Sequence, residues 1–533
     1  MRNFDNVKTL NKQALFELLS QRVNIQEAKL SQIPDPLLLR DAHKAVKRIA
    51  QAVKEREKIT LIGDYDVDGV ASTAIMVEFF RQIPYPLEAI IPNRFSDGYG
   101  VSPNILKRVD TDLIITVDNG ISAIEAAEIC KQKGIDLIIT DHHTPSDVLP
   151  DAYAIINPKL SSCTYPFEEI CGAQVAWLLL ALLKKELSLS IDMKYFIDML
   201  AIAIIADIMP LTHINRALVK EGLRIIQSSN KPSCTIIRDF LNKKTITSED
   251  IGFQIAPRLN SAGRIEDASI ALEFLTAQST SKAFELFEKL NSLNELRKEE
   301  EANATKEALL LCNPNDKIIV VAQEFWHEGV VGIVASRLVD RFEKPAIVLS
   351  IDNGIAKGSA RSIGDVSIYE LIKANEELLL KFGGHKMAAG LLLDAKNIEI
   401  FKKAINKSAS YLAPEHFLPS EDVVGVLPFC EIDFELLDIL ERFEPYGEAN
   451  TRPLFLIKDA EVVKIETFGK EKSHSKVLLR EFENEKKEVE LILFKNILQM
   501  PESKKLTCSY RTVKNEFNSK VSVQLIINKI YNY

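Results

Sequence analysis

Four short segments concentrate the groups able to do chemistry: Gly63-Asp64-Tyr65-Asp66-Val67-Asp68-Gly69, Asp118-Asn119-Gly120, Asp141-His142-His143 and Asp207-Ile208-Met209-Pro210-Leu211. Each alone has an ordinary explanation. An Asp-rich turn is commonly solvated and closed by Asx-type bonds, and Asp-Asn-Gly is a frequent turn signal. A His-His pair often sits at the surface, and Asp207 alone could end a helix. Their conjunction says more. Three of the four follow short apolar runs, Ile59–Ile62, Leu113–Val117 and Leu137–Thr140, that read as strands. Open α/β sheets bind ligands outside the carboxyl ends of their strands. Carboxylates brought to one such edge cannot all stay ionised a few ångströms apart without a counter-ion. A divalent cation resolves the conflict, and mixed carboxylate and imidazole donors favour Mn²⁺ or Mg²⁺ over Zn²⁺. Spacing alone therefore predicts a metal-dependent phosphoesterase and nothing finer.

The elements that must position these groups follow from pattern. Residues 1–55 read as a helical segment, with an apolar face over Ala42–Val53. From residue 58 to 156, short apolar runs alternate with helical stretches, which predicts βαβ units and a mostly parallel sheet. Helices dominate from Gly172 to about Leu275, and a polar run over Ser281–Leu310 reads as a connecting helix. A second α/β module starts at Lys317–Val321, with glycine-rich turns expected at Gly354–Arg361 and Gly383–Gly390. Short alternating strands such as Glu488–Leu493 and Val521–Ile527 then suggest a small β-barrel.

In this order the four segments resemble the motifs of the DHH phosphoesterase superfamily. Ile91–Gly100 (IPNRFSDGYG), Pro257–Arg264 (PRLNSAGR), Trp326–Leu338 (WHEGVVGIVASRL) and Gly383–Gly390 (GGHKMAAG) narrow the resemblance to its bacterial RecJ family of single-strand-specific DNA exonucleases. It covers roughly residues 35 to 460, and the C-terminal barrel more loosely. Gly447–Asn450 departs from it, with alanine where the family usually has glycine.

The fold class implied is α/β. A Rossmann-like parallel-sheet DHH domain (56–280) follows the N-terminal helical segment (1–55). A connecting helix (281–310), a second α/β DHHA1 domain (311–418) and a C-terminal OB-fold β-barrel (419–533) complete the chain. The resemblance implies one cation on Asp68, Asp118, His142 and Asp207, and a second sharing Asp118 and adding Asp66. Asp64 stands nearby, and His143 approaches the scissile phosphate; these two are the expected catalytic groups. For substrate it implies Tyr99 on a base and Arg258, Asn260 and Arg264 along a channel. Ser359, Arg361, Gly384 and His385 would grip the 5′ phosphate, the glycine-rich segment offering backbone N–H groups beside a helix start. PRLNSAGR is read as a glycine-containing turn, and His327 as a capping or packing residue rather than a ligand.

The activity implied is 5′-to-3′ hydrolysis of single-stranded DNA to 5′-mononucleotides with two Mn²⁺ or Mg²⁺ ions, in recombinational and mismatch repair. Single-strand DNA-binding protein and a helicase are the implied partners. The chain is expected to be a cytoplasmic monomer with no membrane association. The competing reading is a DHH phosphodiesterase for oligoribonucleotides or cyclic dinucleotides; such enzymes typically lack the barrel and the PRLNSAGR segment. A catalytically dead single-strand binder would need a lost metal carboxylate, and all are present.

Composition bounds these readings. The 533 residues carry 66 Lys+Arg against 75 Asp+Glu, a net charge of −9, with 46% hydrophobic and 26% charged residues. That excludes disorder over most of the chain and a histone-like coat of nucleic acid, though not a local basic channel. Between Pro501 and Tyr533 the balance reverses: Lys504, Lys505, Arg511, Lys514, Lys520 and Lys529 face only Glu502 and Glu516, so DNA contact is expected there. Seven cysteines without a C-x-x-C pair read as reduced cytosolic thiols. Met1–Leu10 lacks the apolar core of a signal peptide, and the apolar run Met199–Leu211 is too short to span a bilayer.

Overall fold

The computed structural model describes residues 4, 7–23, 29–418, 423–469, 472–481, 487–517 and 520–531. The limits 1, 419 and 533 expected for the first and last segments, and the side chains of Glu516 and Lys520, lie outside the described residues. Two helices, α1 (Lys12–Arg22) and α2 (Ala42–Glu55), precede β1 (Ile59–Ile62), α3 (Val67–Arg81), β2 (Glu88–Ile90), β3 (Leu113–Val117), α4 (Ile124–Lys133), β4 (Asp136–Thr140) and β5 (Ala154–Ile156). The strands form one all-parallel sheet in the order β2-β1-β3-β4-β5. Every residue of β1, β3 and β5 is buried. Helices cover both faces, so the strands read as unbroken apolar runs rather than alternating ones. The loops after β1, β3 and β4 consequently emerge at one edge.

The helical half includes α5 (Gly172–Glu186), α6 (Ile197–Ala206), α7 (His213–Ser228) and α8 (Ala256–Ile265). The apolar α6 is almost wholly buried, and α5 and α6 share one core with α3. PRLNSAGR is not a turn, as the sequence led us to expect, but most of α8. Pro257 stands in its first turn, where the missing N–H is tolerated. Gly263 lets the helix approach the carbonyl oxygen of Tyr65, which an added Cβ would meet at 2.5 Å.

The 32-residue helix α9 (Thr280–Leu311) joins two cores. Leu286, Phe287 and Leu290 pack into the parallel-sheet domain, and Ala304 and Ala308 into the second domain. That domain contains β6 (Ile319–Glu324), α10 (Val331–Phe342), β7 (Ala346–Asp352), β8 (Ile355–Arg361), β9 (Lys381–His385) and β10 (Ala388–Asp394), in sheet order β6-β7-β8-β10-β9. The two expected glycine-rich turns are corrected here. Residues 355–361 are strand, with the turn confined to Asn353-Gly354. Gly383–Gly390 is a β-hairpin, so no helix starts there. Gly384 opposes Ala389, and a Cβ on it would stand 2.5 Å from the Ala389 Cα. Close strand approach, rather than a phosphate turn, uses this glycine.

The last domain holds β11 (Val423–Val426), α11 (Phe434–Arg442), β12 (Leu454–Phe468), β13 (His474–Arg480), β14 (Glu488–Leu493), β15 (Lys505–Phe517) and β16 (Lys520–Ile530). β12 pairs with both β13 and β15, which closes a five-stranded barrel. Several strands are longer than the sequence suggested. β12 covers 15 residues by bending at register shifts near Val462 and Ile457. The N-terminal helical segment divides between two cores: Leu15 and Leu19 of α1 pack into the barrel core, whereas α2 packs on the parallel sheet. No helix among the described residues is long and apolar enough to cross a membrane.

Arg216 of α7 fixes the barrel to the first domain. Fully buried, it donates to the carbonyls of Phe443 (2.9 Å), Glu444 (2.6 Å) and Pro445 (3.2 Å), and burial pushes its pKa down. Arg216→Ala should cost about 3 kcal/mol, because buried acceptors lose a charged donor. Arg216→Lys should recover only part, since an ammonium lacks the planar fork. Denaturation followed by circular dichroism would check this, and an unchanged midpoint in the alanine variant would refute it.

Candidate metal centre

The site is assembled from the edge where β1, β3 and β4 end. After β1 the chain turns through Asp64 into α3. Asp66 caps that helix by accepting from Gly69 N (3.0 Å), and Asp68 lies in its first turn. An added Cβ on Gly69 would meet Asp64 at 2.5 Å, so glycine lets the turn close on itself. The Asp68 carboxylate accepts from Gly172 N (2.6 Å) and Ala173 N (2.9 Å), the first amides of α5, where the helix dipole favours negative charge. Gly172 also abuts Asp118, whose Cβ and Oδ1 would lie 2.5 Å from any added Cβ.

Asp118 leaves β3 in the left-handed region, with φ 62°. Asn119 holds that turn. Its Nδ2 donates to the carbonyls of Ile62 (3.0 Å) and Val117 (2.9 Å), and its Oδ1 accepts from Val101 N (3.0 Å). Asp141, at the end of β4, accepts from the backbone N–H groups of His142, His143 and Ile121. Its Oδ1 also lies 2.7 Å from His143 Nδ1. Asp207 ends α6 and brings the fourth segment to the same place.

The convergence is close. His142 Nε2 lies 3.2 Å from Asp118 Oδ1 and 3.6 Å from both Asp68 Oδ2 and Asp207 Oδ2. Donor atoms fall within 4.8 Å of one another in three sets: Asp68 with His142 and Asp207, Asp64 with Asp66 and Asp118, and Asp118 with His142 and His143. Asp118 Oδ1 and Asp207 Oδ2 are buried without a hydrogen-bond partner. Burial, and then repulsion from neighbouring aspartates, raises Asp64 and Asp118 well above the usual carboxylate range and Asp207 to about 8. Burial lowers His142. For His143, burial opposes the charged ring, but the hydrogen bond and charge of Asp141 outweigh it and raise the pKa to about 9. Crowded carboxylates with an imidazole among them, two of their oxygens buried without a donor, fit divalent cations.

The expected substrate residues divide. Asn260 Oδ1 accepts from Val67 N (3.2 Å) and so supports the start of α3. Arg258 lies over the Phe240 ring (4.2 Å) and donates to Asn291. Arg264 donates to the Gly329 carbonyl, and Arg361 to Ser359 Oγ (3.0 Å). Burial lowers Arg264 to about 10, with Arg94, Arg297 and Arg361 adding repulsion. Arg94 is absent from the sequence reading, although it lies inside IPNRF; its guanidinium covers the Tyr65 ring at 4.2 Å. Half-exposed Tyr99 stands edge-on to His143, with ring centroids 6.3 Å apart. Gly384 and His385 are exposed on their hairpin, where strand register aligns His385 with Arg361 through Ala388.

A cleft of about 940 Å³ opens beside Asp207, bounded by Ile205, Ala206 and Ile208. Arg258, Arg264, Arg297, Arg337, Arg452 and Arg511 also line it, from α8, α9, the second domain and the barrel. Of the basic residues expected in the barrel, Arg511 faces this cleft, whereas Lys529 pairs with Glu343 of the second domain.

Comparisons with known proteins agree with this architecture. Three family models match: DHH family, N-terminal domain (58–204), DHHA1 domain (315–410) and RecJ OB domain (425–529). A Haemophilus influenzae protein named single-stranded-DNA-specific exonuclease RecJ is 34% identical over 558 residues, covering 97% of this chain and 96% of that protein. The chain belongs to the RecJ family. The RecJ protein of Bacillus subtilis is 37% identical over 92% of this chain, which spans 64% of that relative's length. RecJ of Thermus thermophilus, solved with Mn²⁺, matches with a TM-score of 0.82 at 27% identity, covering 99% of this chain and 79% of that one.

The raised carboxyl pKa values fix the sign of a pH effect. Asp207, near 8, is largely protonated at pH 7 in the metal-free chain, and a cation must displace that proton. Mn²⁺ affinity should therefore strengthen as pH rises from 6 to 8. Calorimetry in buffers of different ionisation enthalpy at pH 7 should register net proton release. Gly172→Ala should weaken Mn²⁺ binding at least about tenfold by displacing Asp118.

Proposed function

We propose that the chain is a divalent-metal-dependent exonuclease that hydrolyses single-stranded DNA from its 5′ end to 5′-mononucleotides. The observation that carries this reading is an arginine-lined cleft opening beside a cluster of converging carboxylate and imidazole donors. The relatives from Haemophilus influenzae and Bacillus subtilis are named for this activity, and the Thermus structure carries Mn²⁺.

Asp68, Asp118, His142 and Asp207 would hold one ion; Asp66 with Asp118 would hold a second, with Asp64 beside it. Bound Mn²⁺ or Mg²⁺ supplies Lewis-acid polarisation of the phosphate and a water of lowered pKa. The chain's own groups do the rest. Asp141 keeps a proton on His143 Nδ1 and orients the ring, so that the outer edge of His143 can face the scissile phosphate. Arg94 and Arg361 both lie within electrostatic range of the partly buried Arg264. Together with Ser359 they suit a terminal 5′ phosphate, where charge-assisted bonds are strong. His385, exposed at the end of its hairpin strand, extends that grip. Tyr99 offers a base a face close to His143, and Arg258 and Asn260 line the approach. In the cell this reading makes the chain a cytoplasmic monomer in recombinational and mismatch repair. A helicase and single-strand-binding protein would present its substrate.

Strands labelled at either end, duplex and RNA, each with Mn²⁺, Mg²⁺ or chelator, test the reading directly. Metal-dependent release of 5′-mononucleotides from the 5′ end of single strands is expected, and release from the 3′ end would refute it. Asp118→Ala should lower turnover more than about 100-fold, as losses of essential groups do, while single-strand binding persists. Arg361→Ala should raise KM more for 5′-phosphorylated strands than for 5′-hydroxyl strands; equal effects on both would remove Arg361 from the phosphate site.

A further inference from the structure

One large side chain in the cleft wall is left over by that mechanism. Phe253 is 78% exposed, although the residues at either end of its turn, Ile251 and Ile255, are fully buried. The turn Ile251–Ile255 is π-helical, with Ala256 N donating to the Ile251 carbonyl five residues back. Such turns recur at functional sites. The turn packs close against α6: a Cβ on Gly252 would meet Ile205 at 3.3 Å. Two residues beyond Ile205, that helix delivers Asp207 to the metal cluster. Ile208, which follows with φ 55°, is 67% exposed and lines the same cleft. An exposed phenyl ring therefore stands in the wall of the arginine-lined cleft.

A cation-lined cleft with a bare aromatic face matches a polymer that has phosphates on one side and flat apolar rings on the other. We infer that Phe253, with Ile208 in the same wall, stacks on an unpaired base of the strand in the cleft. The contact selects strands whose bases are free. Base pairing in duplex keeps base faces inside the stack, so only an unpaired strand offers one to Phe253. Stacking tolerates every sequence because each base has a π face. The inference rests on the single-strand reading of the cleft and adds a specificity-determining residue to it.

The test uses the full chain and single strands carrying 2-aminopurine at successive positions, with metal chelated so that nothing is cut. Wild-type protein should quench fluorescence at one or two adjacent positions. Phe253→Ala should lose that quench and Phe253→Trp should restore it, with circular dichroism confirming unchanged folding of these exposed-site variants. With Mn²⁺ present, Phe253→Ala should raise KM about tenfold, within the range for loss of one stacked base, with kcat changed less than about twofold. An abasic site at the quenched position should raise the wild-type KM to that of the variant.

An unchanged quench pattern and KM in Phe253→Ala would overturn the inference. Recovery by Phe253→Leu as complete as by Phe253→Trp would also overturn it, since apolarity without a ring would then suffice. If position-specific quenching holds while wild-type protein cuts no single strand, the nuclease reading falls and the stacking contact stands.

Discussion

Mutual repulsion among buried carboxylates is the constraint around which the first domain is built. Asp64, Asp68 and Asp118 are almost entirely withdrawn from water, and Asp207 adds a fourth charge within reach of the same imidazole. Left to themselves these groups would splay apart. Several features prevent splaying: the amides at the start of α5 on Asp68, the Asn119 lock on the turn after β3, and the lack of side chains at Gly69 and Gly172. Burial and neighbouring aspartates raise Asp64, Asp118 and Asp207, so the cluster holds protons that a cation would displace. Stability is given up locally for a pre-formed binding geometry.

Charge is arranged in the opposite sense across the cleft. The chain as a whole carries −9, yet arginines from separate parts of the fold meet along one surface. Their neutralisation is partial. Glu249 lies within 3.6 Å of both Arg452 and Arg511, and Glu301 is shared between Arg297 and Arg337. Sharing one acid between two bases holds the guanidiniums in place while leaving net positive charge for a polyanion. An acidic exterior around a basic interior focuses attraction on the cleft.

The legible parts of the sequence are those whose physics is local. Buried parallel strands announce themselves as apolar runs, and chemistry at their carboxyl ends announces itself as polar residues directly following. The illegible parts depend on distant partners. Nothing within GGHKMAAG reveals that Gly384 will lie against Ala389 in a hairpin, because a glycine pair serves a turn, a helix start or a crowded strand equally well. PRLNSAGR looks like a turn until Gly263 meets Tyr65, nearly two hundred residues earlier in the chain. Arg297, Arg337 and Arg452 of the cleft, and Arg94 beside Tyr65, share no spacing, since elements far apart in sequence bring them together. Phe253 is equally silent: one phenylalanine among apolar neighbours reads as core, and only the π-helical turn exposes it.

The docking of α1 on the barrel has a consequence in time. Lys12 N donates to Glu431, a partner 419 positions further on, and Thr9 bridges to Val426. At about 5–20 residues per second of synthesis, Leu15 and Leu19 wait roughly 25–100 s for the core that shelters them, which runs to Ile527. The parallel sheet and its aspartates emerge long before that. The reaction centre is therefore able to mature while the wall of the cleft contributed by the barrel is still unmade. During that interval Leu15 and Leu19 have no core to enter, and an unsupported segment of 11 residues is too short to stay helical in water.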